Sequence, residues 1–510
     1  MPFYLLYFLL LFLISYLSRR GWKNQVFFSA KKYSWVVTGL SLFMFLLSAD
    51  QGQLAFEVIK KGSIWTMWQF WSVMIGVFIV PIIFAPFWQR LQLSNDNEFI
   101  DLRFSGKGAA VLKTFRAYYV GMLIVSLLLS FHLLAFSKFL SVFYGLDKLS
   151  SLAIIATVLL LYSAKNIFSI KLKTDILHSA FYVIALGLLI YFAYEKSGGL
   201  FNAVSSIKVS QAEMLEIWPL NSQQIFYSLS FLCVQWWSVQ IMDGGGPEMI
   251  RFKAVDSERS AILTGLSSLF FSFISSLLLL YLVLMLLSVG AEDFNSSIRS
   301  IVPAYLHPLI ILGWFGLFIS TCESLLLWGA AFWSDDLYKR LTAKKDTEVP
   351  AYVKLLAMIF LSILSIMAAY NAESLQVIIQ WFFALSAGVA PIIFLRWFWM
   401  RINAWTQIAA MLSSPIFNLI YSQIAWRAYL PYHSGEMGEY VWRMIIMTIS
   451  TLLIAFAVMF LTKSDDPAKI ESFNNRLGKK GPVLQKYLLA VLLGFLYFFI
   501  WNLLLWGLVG

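Results

Sequence analysis

Charge is scarce in this sequence. Of its 510 residues only 13% are Asp, Glu, Lys or Arg, about half the share of a soluble domain, and this excludes water as the main solvent of the fold. Cysteine is scarcer still: Cys233 and Cys322 both lie within apolar runs, so a disulfide framework is excluded. The four histidines, His132, His178, His307 and His433, show neither metal-ligand spacing nor a triad-like grouping, which argues against an enzyme. Segments of about ten residues with strict alternation, the mark of a membrane β-barrel, are also missing. No loop exceeds about 30 residues, too few for a separate soluble domain.

What the chain has in quantity is apolar length. Hydrophobic residues make up 60% of it, and runs of about 20 recur from end to end, each long enough to cross roughly 30 Å of hydrocarbon as a helix. About fourteen such spans are predicted, at 2–18, 34–55, 64–88, 114–136, 151–168, 176–194, 224–246, 261–289, 305–334, 351–370, 375–399, 404–422, 443–461 and 487–508. The expected fold is therefore an all-α polytopic membrane protein. Its first span has no basic stretch before it, and Arg19, Arg20 and Lys23 follow it, which favours a retained helix over a cleaved signal. Threading from that start places about 28 of the 38 Lys and Arg on one side, which is read as cytoplasmic, with both termini outside. Lys165 to Lys173 and Arg251 to Arg259 are among these loop clusters. The net charge of +11 is dispersed over many short loops, a pattern of orientation rather than of nucleic-acid binding. Residues 93–102 carry an N-capping look and an amphipathic pattern, read as a short interfacial helix.

Two spans break the apolar pattern. In the second, Leu42 to Leu47 gives way to Ser48-Ala-Asp-Gln-Gly-Gln53; in the seventh, Phe231 to Met242 gives way to Asp243-Gly-Gly-Gly-Pro247. Five spans separate the two starts. An inverted five-plus-five repeat predicts this relation, because an odd number of helices flips the second copy and each copy opens with a discontinuous helix. Backbone groups freed by such a break are tolerated only where protein, solute, ions or water satisfy them. The alternative is that Asp50 and Asp243 sit at helix ends near an interface, with the glycines after Asp243 simply starting a loop.

Ser34-Trp-Val-Val-Thr-Gly-Leu-Ser41 leading into Ser48-Ala-Asp-Gln51, then Glu98-Phe-Ile-Asp-Leu-Arg103 with Phe115-Arg116, Thr174-Asp175, Gln235-Trp-Trp237 with Asp243-Gly-Gly-Gly246 and Arg251, and Ser320-Thr-Cys-Glu-Ser324 with Trp328-Gly329 and Asp335-Asp-Leu-Tyr-Lys-Arg340, follow one another in an order that resembles the sodium/solute symporters. The resemblance runs from residue 34 to about 400 and implies a fold like that of the bacterial leucine transporter. It implies a core over 34–400, in repeats of about 34–195 and 222–400, with an extra helix and loop at 1–33 and three further helices over 401–510. One departure is the stretch 162–167, Tyr-Ser-Ala-Lys-Asn-Ile, where the family is richer in glycine.

By position, the resemblance implies one sodium between the first and eighth core helices, held by the hydroxyls of Ser320 and Thr321 and the carbonyls of Met44, Leu47 and Leu317. Oxygen ligands suit a hard cation, and a frayed helix supplies carbonyls without adding charge. Read from the residues alone, the two hydroxyls also suit bonding back to the preceding helical turn. Asp175 matches a family acid near the ion's exit, although a carboxylate at a helix start also interacts with the helix dipole. Glu323, one turn beyond Ser320, is an acid at depth and joins the ion pathway on that ground. The solute pocket implied where the broken helices meet draws on Asp50, Gln51, Gln53, Gln235, Trp236, Trp237, Asp243 and Gly245, although tryptophans in membrane proteins are often interfacial anchors. The resemblance thus implies a sodium-coupled importer of a small polar solute in a bacterial-type inner (plasma) membrane, with sodium and the solute as its partners besides lipid and no obligatory protein partner. The competing reading is a symporter-like solute sensor without net transport.

Overall fold

The computed structural model describes residues 2–20, 32–164, 168–238, 242–342, 349–425, 429–478 and 482–509. Among the described residues every regular element is helical. Within these described residues nine helices are long and apolar enough to cross a membrane by length and composition: Trp35–Lys61, Ile64–Leu91, Gly106–Tyr144, Ile170–Ser197, Glu258–Ser288, Ala304–Leu341, Ala351–Asn371, Gly435–Leu461 and Val483–Val509. The other expected spans fall on shorter or less apolar helices: Pro2–Arg20, Lys148–Ser163, Ser222–Cys233 with Pro247–Lys253, Leu375–Ser386 with Ala390–Leu395, and Ala404–Gln423. Residues 165–167 of the glycine-poor stretch, and the basic positions within 21–31 and 343–348, lie outside the described residues.

Both discontinuities are present. The first broken helix is capped by Ser34, whose hydroxyl accepts from the Val37 N–H at 3.4 Å. It runs Trp35–Leu47, stops at Ser48, and resumes as Gln51–Lys61. Ser48 takes a φ of +42°, uncommon without a glycine, and its hydroxyl donates to Asp50 Oδ1 at 2.5 Å. The second broken helix opens on a capping box, Asn221 with Gln224, and runs Ser222–Cys233. A 3-10 turn, Gln235–Trp237, follows, and among the described residues the next helix is Pro247–Lys253. Gly246 permits the turn before that return: its φ is +62°, and a Cβ there would lie 2.6 Å from the Trp328 ring.

The helix His307–Ala331 sits at the centre. In Ala304–Leu341 the apolar window is 94% buried, against 28% in Ala351–Asn371, so one is enclosed by protein while the other is a peripheral wall. Around it pack Trp35–Leu47, Val125–Tyr144 and Phe168–Ser197. Lipid is as apolar as leucine, so these contacts depend on fit rather than on escape from water. Phe318 stacks on Phe136 with ring centroids 4.8 Å apart, and Trp314 lies parallel to Phe139. The first helix inserts Tyr7 against Phe181 and Phe315. The last, Val483–Val509, lies so close to the third span that a Cβ on Gly494 would run into the Ile75 carbonyl.

Several expectations about charge need correction. The span expected at 176–194 begins earlier, as Phe168–Ser197. Asp175 therefore lies about two turns inside the helix, beyond reach of the terminal dipole, and Lys171, read as loop charge, is buried at 4% exposure. Arg103 and Arg251, which fall between the expected spans, are buried as well, and so are Arg116 and Arg396 near the ends of theirs. Each faces a carboxylate, in that order Asp465 at 3.4 Å, Asp175 at 4.0 Å, Asp96 at 2.8 Å and Asp243 at 2.8 Å. Apolar-run reading stops at a charge, whereas paired charges are tolerated inside a bundle. The short helix expected at 93–102 is Glu98–Arg103, entered through Asn95, whose side chain accepts from the N–H groups of Asn97 and Glu98. Its Phe99 is packed against Trp397 at 4.4 Å between centroids, so it is wedged into the bundle and not laid on its surface.

Candidate ion and solute site

Stopping the first helix at Leu47 leaves its last carbonyls without the N–H groups a continuing helix would offer. Thr321, from the central helix, reaches them: its Oγ1 donates to the Phe45 carbonyl at 3.0 Å and lies 3.4 Å from that of Met44. Ser320 turns the other way and donates to Asp175 Oδ1 at 2.8 Å. Leu47 and Leu317 are buried beside this contact as the last residue of the half-helix and the residue one turn before Thr321. Oxygen of hydroxyl, carbonyl and carboxylate origin therefore converges here from three helices. Such a donor set fits a hard monovalent cation. Among the described residues no cluster of His, Cys, Asp and Glu suits a transition metal.

Two cations of the chain border the same oxygens. Lys171 Nζ donates to the Ser320 carbonyl at 2.9 Å and to Glu323 Oε2 at 3.2 Å, and lies 3.5 Å from both Ser320 Oγ and Asp175 Oδ1. Arg251 donates through Nε to Ser41 Oγ at 3.0 Å and through Nη2 to Ser324 Oγ at 3.3 Å. Ser41 in turn donates to Asp175 Oδ2. Asp175 and Glu323 are thus brought together with Ser320, as a buried cluster of two acids and two bases.

The expected solute residues fall into three places. At the first break, Asp50 Oδ1 lies 2.8 Å from His132 Nδ1, Gln51 accepts from Ser276 Oγ at 3.2 Å, and Gln53 donates to the Ala135 carbonyl at 3.1 Å. At the 3-10 turn, Gln235 donates to the Gln69 carbonyl, and Gln69 Oε1 accepts from Gln380 at 2.9 Å. The rings of Trp236 and Trp237 lie 5.6 Å apart. Among the described residues Gln53 Oε1, Gln235 Oε1 and Trp237 Nε1 are buried without a hydrogen-bond partner.

Asp243 and Gly245 are elsewhere. One oxygen of Asp243 accepts from Arg396 at 2.8 Å and Trp397 at 2.9 Å, the other from the Gly245 N–H at 3.2 Å, and its carbonyl accepts from Trp88 at 2.5 Å. Its hydrogen-bonding capacity is taken up by protein. A cavity of about 620 Å³ runs from loop residues such as Asn95 and Val349 inward to Lys171, Glu323 and Ser324, placing the charged cluster at its inner end.

Comparison with known proteins decides the family. The model of the sodium:solute symporter family matches residues 27–414. The chain belongs to that family. It is a sodium-coupled transporter of a small solute, embedded in a membrane, and not an enzyme; sodium is its coupling ion. Among curated proteins it is 22% identical over 406 residues to the osmoregulated proline transporter of Bacillus subtilis, covering 73% of this chain and 80% of that one. Among solved structures, a substrate-bound, outward-open Na+-coupled sialic acid symporter superposes with a TM-score of 0.69 at 16% identity, over 91% of this chain and 98% of the other. A nucleobase-cation-symport-1 family transporter, closed around bromovinylhydantoin, gives 0.54 at 10% identity, over 88% and 98%. At such identities the structures show a shared fold.

Sequence reading of this symporter missed Phe45, Ser41, Lys171, Arg251, His132 and Gln69. The signal available for Lys171 was helical spacing: it lies one turn before Asp175, so both project from one face if the helix starts early. For the others, the partners at the site are at least 73 residues away; Ser41 and Arg251 lie in the family-like segments, but nothing local shows what they touch.

Proposed function

We propose that the symporter imports a small polar metabolite with sodium by alternating access, with the cation held between the end of the first half-helix and the central helix. The observation that carries this reading is the approach of Thr321 Oγ1 to the Met44 and Phe45 carbonyls, beside Ser320 on Asp175. Leu47 and Leu317 complete the proposed ligand shell through their carbonyls. A cation there joins the broken helix to the central one, and its loss frees the half-helix to move. Asp175 and Glu323 guide the ion toward the cavity, which serves as the exit on the basic, cytoplasmic side. Each sodium moved inward gains about 2.3 kcal/mol per 100 mV of membrane potential.

The solute sits where the two breaks meet, in a core spanning 34–400. Asp50, Gln51, Gln53, Gln235, Trp236 and Trp237 supply its polar and flat walls. The buried, unpartnered Gln53 Oε1, Gln235 Oε1 and Trp237 Nε1 support this, because buried polar atoms normally have partners. Asp243 and Gly245 act instead as a latch, since the Asp243 carboxylate is held by Arg396 and Trp397. Proline and sialic acid, the solutes in the relatives' names, differ in size and charge and single out no one compound; the buried acid Asp50 favours a neutral or zwitterionic polar metabolite over a free anion.

A thermal-shift screen of purified protein against amino acids, sugars and polyols, run in sodium and in choline, tests the reading. A solute at 100 times its Kd stabilises the native state by about 2.7 kcal/mol. The expected hit raises the melting temperature in sodium and much less in choline. A hit of equal size in both would contradict coupling.

A further inference from the structure

Among the described residues, Lys171 is the buried base that reaches a hydroxyl assigned to the coupling ion, that of Ser320. Its ammonium lies 2.9 Å from the Ser320 carbonyl and 3.5 Å from the Ser320 hydroxyl, while Asp175 at 3.5 Å and Glu323 at 3.2 Å close the other sides. An ammonium and a sodium ion ask for the same thing, several oxygens around one positive charge. Here the chain supplies its own. Arg251 faces the same carboxylate, 4.0 Å from Asp175, and His178 Nδ1 lies 3.9 Å from it.

Charge counting sharpens the point. Two acids, Asp175 and Glu323, face two bases, Lys171 and Arg251, and the next groups out, Glu248 beside Arg251 and Lys354 beside Glu323, offset one another, so the formal charges balance without any added ion. Arg251 is fixed by Ser41, Ser324 and the Pro247 carbonyl. Both bases border the 620 Å³ cavity, but Lys171 is held on a flexible four-carbon stem. A sodium ion entering beside Thr321 would add an uncompensated buried charge unless one base withdrew. The base with room to withdraw is Lys171.

We infer that Lys171 is a tethered competitor of sodium: its ammonium occupies the oxygens of Ser320 and the acids Asp175 and Glu323 when sodium is away, and swings into the cavity when sodium binds. The inference rests on the reading of Ser320 and Thr321 as ion ligands. Exchange between tethered and free cation keeps the cluster neutral in both states, so the binding site need not be left as a bare pair of buried acids after the ion departs. It also sets the sodium concentration at which the transporter works, because every sodium bound must first displace the lysine.

The test is sodium binding to the purified full chain, read as sodium-dependent thermal stabilisation and by calorimetry, in wild type and Lys171→Met. Lys171→Gln serves as a second variant, since it keeps a donor for the Ser320 carbonyl if the methionine form does not fold. The expected result is a fall of about tenfold or more in the sodium concentration for half-saturation. Sodium binding by the variants but not by wild type would support the competition equally. Equal affinity in wild type and variants, or weaker binding in the variants, would overturn it while leaving the ion site in place. Sodium binding by none of the three would overturn both this inference and the ion-site reading on which it rests.

Discussion

The two broken helices interrupt the bundle in the same topological way and are built from opposite chemistry. At the first break the backbone is left with acceptors to spare, and the central helix brings Thr321 to them at 3.0 and 3.4 Å. At the second, glycines allow the turn and a carboxylate is consumed by its neighbours, with Arg396 at 2.8 Å and Trp397 at 2.9 Å on one oxygen. Freed backbone can therefore be used in two ways inside a membrane. It can be offered to something that comes and goes, or tied down to fix where a moving segment stops. The first use predicts effects on ion binding, the second on stability.

The largest effect is expected at the second break. Arg396→Ala leaves Asp243 as a buried, unpaired acid, and breaking such a pair costs about 3–5 kcal/mol; thermal unfolding of the purified variant should show it, and an unchanged melting temperature would remove the latch. Next, Gly246→Ala puts a Cβ 2.6 Å from the Trp328 ring at a φ of +62°, a strain of about 1–3 kcal/mol. That loss too should appear in unfolding, with sodium affinity retained; a variant as stable as wild type would mean the turn is looser than its geometry indicates.

At the first break the sign of the outcome changes. Thr321→Ala removes one oxygen from the proposed cation shell while a helix with alanine survives, so the sodium needed for half-maximal uptake should rise about tenfold, near 1.4 kcal/mol. The melting temperature in choline should hardly move. The smallest effect is expected for Asp50→Asn, which keeps the shape but weakens a charged hydrogen bond with His132 by about 1 kcal/mol. Solute affinity, measured by binding competition, should drop several-fold; a change confined to sodium affinity would merge two sites that the account keeps apart.

Much of the architecture was legible because hydrophobic length and punctuation are local. The spans 351–370 and 404–422 fall within one residue of Ala351–Asn371 and Ala404–Gln423. The first break was visible as a polar interruption at Ser48; the second was expected only at Asp243, whereas the helix already ends at Cys233 inside an apolar run that gives no signal of it. Charge inside the bundle was not legible, since Lys171 with Glu323 and Arg251 with Asp175 pair across 152 and 76 positions and a lysine at the edge of an apolar run reads as loop. Asp243 was placed in the solute pocket for its glycine-rich neighbours; nothing nearby in sequence points to Arg396. Short elements were lost for a related reason. In the span expected at 375–399, helix stops at Ser386 and restarts at Ala390, and Pro391, which has no N–H to donate, sits just inside the restart.

Binding of radioactive sodium to three purified proteins asks the central question most directly: wild type, the double variant Ser320→Ala with Thr321→Ala, and Asp243→Asn. The account predicts that the double variant loses saturable binding in the range where wild type fills, while Asp243→Asn, if folded, binds as wild type does. Undiminished binding by the double variant, or loss confined to Asp243→Asn, would contradict it.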